Sequence, residues 1–189
     1  FELNKRMLVM KKTLLLTGMA CILSCQANAM DIKPYIGADM GASHAELQGL
    51  LDGFDDNFAV ANINAGIRFN DYFGLEASVQ SSSETETYGW DLSYSSINLD
   101  ALGYIPLNKN LELIGSVGAG YYTFDLGTDI GDGYDLHIQT DEFAFRTGIG
   151  LQYNFNEKWA MRGVARYAFI DSDEVDSITE LTLGVRYNF

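Results

Sequence analysis

Few residues in this chain could do chemistry. His44 and His137 are its only imidazoles, and its two cysteines, Cys21 and Cys25, both lie near the N-terminus. A hydrolase or transferase needs a nucleophile, a base and an orienting group within mutual reach. Ser172 and Ser177 in "DSDEVDS" stand beside acids, with no histidine close in sequence. That leaves no nucleophilic constellation, and the chain reads as non-enzymatic.

Carboxylates are the abundant reactive type. The stretch "DLGTDIGDGYDLHIQTDE" offers Asp129, Asp132 and Asp135 as possible weak divalent-cation ligands, since Ca²⁺ takes six to eight oxygens. Their spacing is neither that of an EF-hand nor that of a nonapeptide calcium repeat, so a solvated acidic loop is the favoured reading. No motif calls for a cofactor.

Charge limits the partners. The formal net charge is −14. Setting aside residues 1–29 removes four of the 12 bases and one of the 26 acids, leaving −17. Seventeen acids fall in residues 44–56, 83–92, 125–142 and 170–176, which hold no Lys or Arg. Nucleic acid and other polyanions are disfavoured, because a phosphate backbone requires clustered bases. A cationic extracellular partner would be attracted.

The elements that carry these residues are strands. Residues 10–29, "MKKTLLLTGMACILSCQANA", read as a secretory signal peptide with a basic start, a short apolar run and an Ala-Asn-Ala cleavage site. A lipoprotein reading would instead cleave before Cys25. Residues 1–9 read as upstream sequence, and residues 30–189 as one domain. Strict alternation predicts eight strands near 33–43, 57–69, 73–82, 93–105, 111–124, 143–155, 159–169 and 177–189. Short turns (70–72, 106–110 and 156–158) alternate with the long acidic segments. Phe69, Tyr72, Phe73, Tyr104, Tyr153, Phe155, Trp159, Tyr187 and Phe189 gather beside the short turns, as an interfacial girdle would.

The second row of each strand carries glycine and charge, so it is no hydrocarbon core. It predicts an interior ion-pair network of Arg68, Glu76, Asp100, Glu112, Arg146, Arg162, Arg166, Glu180 and Arg186, with Asp39. With Leu102, Tyr104 and Tyr122 also directed inward, an eight-stranded barrel would be filled by its own side chains. The alternatives are a narrow small-solute channel and, with the rows reversed, a secreted lipocalin-type barrel.

The segments "PYIGADMG", "FGLEASVQ", "NLELIGSVGAGYY" and "LGVRYNF" resemble the small eight-stranded outer-membrane barrels of Gram-negative bacteria, the OmpA/OmpX/Ail-like porin-family proteins. The resemblance spans residues 30–189. It implies an all-β, antiparallel up-and-down transmembrane barrel in the outer membrane, with both termini periplasmic. It also implies a monomer in contact with outer-membrane lipid and lipopolysaccharide, the latter open to weak divalent bridging. The strand carrying Leu183, Val185, Tyr187 and Phe189 would be the signal read by the barrel-assembly machinery. Lipid A deacylases of this size carry a serine two residues beyond the histidine. Here Glu46 and Gln139 stand two beyond His44 and His137.

Overall fold

The computed structural model describes residues 32–47, 57–87, 90–129, 135–170 and 175–189. Residues 1–9 and the expected signal peptide, residues 10–29, lie outside them. Strands β1 (Lys33–Leu47), β2 (Asn57–Arg68), β3 (Phe73–Ser82), β4 (Thr85–Thr87), β5 (Trp90–Pro106), β6 (Leu111–Asp129), β7 (Asp135–Asn154), β8 (Trp159–Ile170) and β9 (Val175–Asn188) follow in order. All pairings are antiparallel: β1 with β2, β2 with β3, both β3 and β4 with β5, then β5 to β9 in chain order, and β9 returns to pair β1. The sheet is therefore closed. β3 and β4 are two parts of one wall strand, both paired to β5, so the barrel has eight strands.

Period-2 alternation sets the faces. On β9, Leu181, Leu183 and Val185 are outward and exposed, as is Phe189 just after the strand, whereas Thr182, Gly184 and Arg186 are buried inside. β5 and β8 alternate in the same way. Closure leaves no free edge across the lipid-facing zone, which a membrane demands of any sheet.

Three short turns share one device. Asn70 Oδ1 accepts from the N–H groups of Tyr72 and Phe73, at 2.8 and 2.9 Å. Asn108 accepts from Asn110 and Leu111, and Asn156 from Lys158 and Trp159, all at 2.9 Å. Each asparagine thus supplies the acceptor that the reversing backbone lacks.

The opposite end departs from the sequence expectation. β6 runs to Asp129 and β7 starts at Asp135, so much of the expected loop 125–142 is a paired hairpin. β1 and β5 are likewise longer than expected. Acidic residues suggest loop because they hydrate well, but an exposed strand tolerates them equally on its wet face.

Replacing Asn156 by Ala should destabilise the barrel by about 1 kcal/mol, the net worth of a typical hydrogen bond. Equilibrium urea unfolding in lipid vesicles measures it.

Candidate functional site

The barrel interior holds most of the residues singled out in the sequence. Its hub is Glu76 on β3, 1% exposed. Arg162 Nη1 donates to Glu76 Oε2 at 2.7 Å and Nη2 to Oε1 at 3.0 Å. The same guanidinium reaches Asp39, with Nε to Oδ1 at 2.9 Å and Nη2 to Oδ2 at 2.7 Å. One planar fork therefore clamps two carboxylates from β1 and β3 at once. Arg186 Nη2 and the Tyr35 hydroxyl add donors to Glu76 Oε2, at 3.1 and 3.0 Å. Arg186 also lies 3.7 Å over the Tyr35 ring, a stacking geometry that suits a guanidinium.

The remaining charged residues are brought together less tightly. Arg146 Nε is 3.2 Å from Asp100 Oδ1, but that oxygen is not aligned to accept a hydrogen bond. Arg166 stands 3.9 Å from Glu76 and donates to Thr182 Oγ1 at 3.1 Å. Arg166 and Glu180 are cross-strand partners on β8 and β9, yet Glu180 accepts from Gln80 at 2.6 Å instead. Arg68 grips Glu112 with two bonds, at 2.7 and 3.1 Å, beside the short turns, where both side chains are partly exposed.

Glycine makes room for this packing. A Cβ at Gly148 would sit 2.6 Å from Ser116 Oγ and 3.0 Å from Arg166 Cγ. One at Gly184 would collide with the Asp39 carboxylate that Arg162 holds. Other glycines make room for different groups: a Cβ at Gly66 would meet the Tyr35 ring and one at Gly120 the Asn98 amide.

Along β5 the two rows exchange character. Ser96, Asn98 and Asp100 point inward while Ile97 and Leu99 face out. Further out, Leu92 and Tyr94 are inward and buried, and Asp91 is on the exposed side. β6 does the same, with Tyr122 and Phe124 buried beyond the inward Ser116. The result is an apolar plug at the long-loop end, in which Phe58, Tyr122 and Phe124 surround Tyr94 at ring distances of 5.4, 6.1 and 5.8 Å. Tyr94 ties the plug to the polar layer by donating to Ser43 Oγ at 2.6 Å.

The lipid-facing zone is bounded by aromatics on both sides. Near the short turns, Tyr153 and Phe155, Trp159 and Tyr187, and Tyr187 and Phe189 form edge-to-face pairs. The sequence places Tyr104 both in that belt and in the inward row; it is 2% exposed and lies inside, accepting from Arg186 at 3.1 Å. Its place in the inward row overrides its nearness to the turn. A second belt holds Phe143 with Phe145 and Tyr167 with Phe169; no short turn marks it in the sequence, and its only signal there is the aromatic pair at alternate positions of each strand. Trp159 to Phe169 on β8, and Tyr153 to Phe143 on β7, span roughly 25 Å along the normal at about 3.3 Å per residue and a tilt near 40°. That matches the height of the apolar band in outer-membrane barrels.

A sequence profile described as outer membrane protein beta-barrel domain matches residues 13–189. The chain belongs to this family. Membership puts the barrel in the Gram-negative outer membrane. No protein of curated function matches the chain. Among solved structures, Ail of Yersinia pestis is similar at 21% identity and TM-score 0.60, over 85% of this chain and 100% of Ail. Neisserial surface protein A is similar at 22% identity and TM-score 0.63, over 82% and 97%. OprG of Pseudomonas aeruginosa follows at 16% and 0.50, over 84% and 94%. The likeness is one of fold.

Asp132 of the possible divalent site lies outside the described residues, while Asp129 and Asp135 oppose each other in the β6–β7 ladder. Among the described residues, no group of His, Cys, Asp or Glu is arranged to hold a metal ion. His44 is exposed on β1.

Arg162→Met leaves two buried carboxylates short of their shared partner and should cost about 3–5 kcal/mol. Lys158→Met on the exposed turn should stay within about 0.5 kcal/mol. Unfolding in vesicles compares the two directly.

Proposed function

We propose that the chain is a membrane-anchored, non-enzymatic scaffold that presents an acidic surface outside the cell. The observation that carries this reading is the filled interior. Three levels lie in series along the axis: Arg68 with Glu112, then the cluster around Glu76, then the apolar plug at Tyr94. A solute would have to break buried ion pairs and also wet an apolar layer. Each of those steps is costly.

The long-loop end is the surface that faces a partner. Both described chain ends lie at the short-turn end, where Phe189 N–H donates to the Pro34 carbonyl at 3.1 Å. In our reading this end is periplasmic, and the acidic segments are extracellular. Leu183, Val185 and Tyr187 stand on β9, with Phe189 just after it, beside the β1–β9 seam. Their position on the last strand, beside the pairing that joins the two ends of the sheet, supports their role as the strand read during barrel assembly. Ail has been crystallised with the heparin analogue sucrose octasulfate. The acidic segments of the present chain contain no Lys or Arg, so a cationic extracellular partner fits better.

The refolded mature chain, residues 30–189, should show no unitary current in planar bilayers. Regular cation-selective steps would replace the scaffold by the small-solute channel.

A further inference from the structure

Strand stagger fixes how high each outward residue stands along the barrel axis. The ladder row that leaves β7 at Leu151↔Gly163 passes Met40↔Ala61 and Ser81↔Ser95. It returns to β7 at Thr123↔Asp141, ten residues further toward the long-loop end. With about 3.3 Å per residue and about 4.8 Å between strands, that stagger sets a tilt near 40°. Each residue along a strand then climbs about 2.5 Å, and each step to the next strand of the row about 3 Å.

The short-turn boundary of the apolar band is level. Tyr153, Trp159, Tyr187, Phe73 and Ile105 stand outward on β7, β8, β9, β3 and β5. Their heights agree to within about 3 Å. The opposite boundary is not level. At the height held by Phe143 and Phe145 on β7 and by Tyr167 and Phe169 on β8, the exposed positions of β9, β1, β3 and β5 are Thr179, His44, Ser81 and Ser95. β2 presents Ala59 there, and Tyr121 on β6 belongs to the aromatic side. The last large apolar side chains on the polar arc are Leu181, Met40, Val79 and Ile97. They end roughly 5–10 Å below Phe143 and Phe169.

Tilting the whole barrel cannot reconcile the two sides, because the lower boundary is already level. The bilayer must adjust instead. Bilayers thin beside a short apolar wall at modest cost, whereas hydrocarbon offers hydroxyl and imidazole groups nothing to bond. Glu46 and Asp91, exposed just above the arc, would repel the same residues of a second copy seated there.

We propose that the arc formed by β9, β1, β2, β3 and β5 is a contact surface for polar lipid head groups. The leaflet at the long-loop end is drawn down against it by roughly 5–10 Å relative to the side formed by β6, β7 and β8.

The test uses the mature chain, whose residues 30–189 contain no cysteine, refolded into phosphatidylcholine vesicles. Ser81→Cys, Thr179→Cys and Phe145→Cys place single spin labels at nearly one height on different sides. Collision with oxygen against a water-soluble nickel chelate reads the depth of each. The labels at 81 and 179 should lie roughly 5–10 Å nearer the aqueous phase than the label at 145. Equal depths would overturn the proposal. Labels at 81 and 179 shielded from both reagents would also overturn it, and would assign the arc to a second copy. Ser81→Leu, Ser95→Leu and Thr179→Leu combined should move the acyl-chain length of greatest stability to urea toward longer lipids. An unmoved optimum, with the folded gel mobility kept, would count against the head-group contact.

Discussion

The Glu76 carboxylate is the contact on which the interior depends. It takes two bonds from Arg162, one from Arg186 and one from Tyr35. Arg162 in turn spans to Asp39, joining β1, β3 and β8 across the lumen. Taking isolated charges out of water costs several kcal/mol each, and only close, well-aligned partners repay it. The barrel meets that condition at its centre by sharing one guanidinium between two carboxylates, and it relaxes toward the edges. Arg146 and Asp100 are close without hydrogen-bond alignment, and Arg68 and Glu112 are partly exposed.

Where the wall leaves the membrane, the constraint reverses. Inside the lipid zone the outer row must be apolar, and the inner row is free to be charged. Beyond the second aromatic belt, water lies outside, and the inner row can close on itself as an ordinary hydrophobic core. Leu92, Tyr94, Tyr122 and Phe124 are that core. A single fold thus carries two opposite burial patterns along the same strands, and the change of solvent places the boundary between them.

Much of this was legible in the residues. The alternation of Leu181, Leu183, Val185 and Phe189 with Thr182, Gly184 and Arg186 assigns both faces without a structure, because each row meets a uniform environment. The partners within the lumen were not legible. Asp39 and Arg162 are 123 residues apart and Glu76 and Arg162 are 86 apart, and their meeting depends on strand stagger and side-chain reach. The outer hairpin was hidden for a different reason. Its wet face is acidic like a loop, and only the persistence of Phe124 and Leu126 in the inward row marks it as strand. Tyr104 was legible through its row, which directs it inward, although its nearness to a turn also fits the girdle.

A double-mutant cycle between Glu76 and Arg162, using Glu76→Gln and Arg162→Met with equilibrium unfolding in vesicles, tests the central claim most directly. A shared, fully desolvated ion pair predicts a coupling of about 2–3 kcal/mol. Additive effects, within about 0.5 kcal/mol, would contradict it and show that the barrel is held by its wall alone.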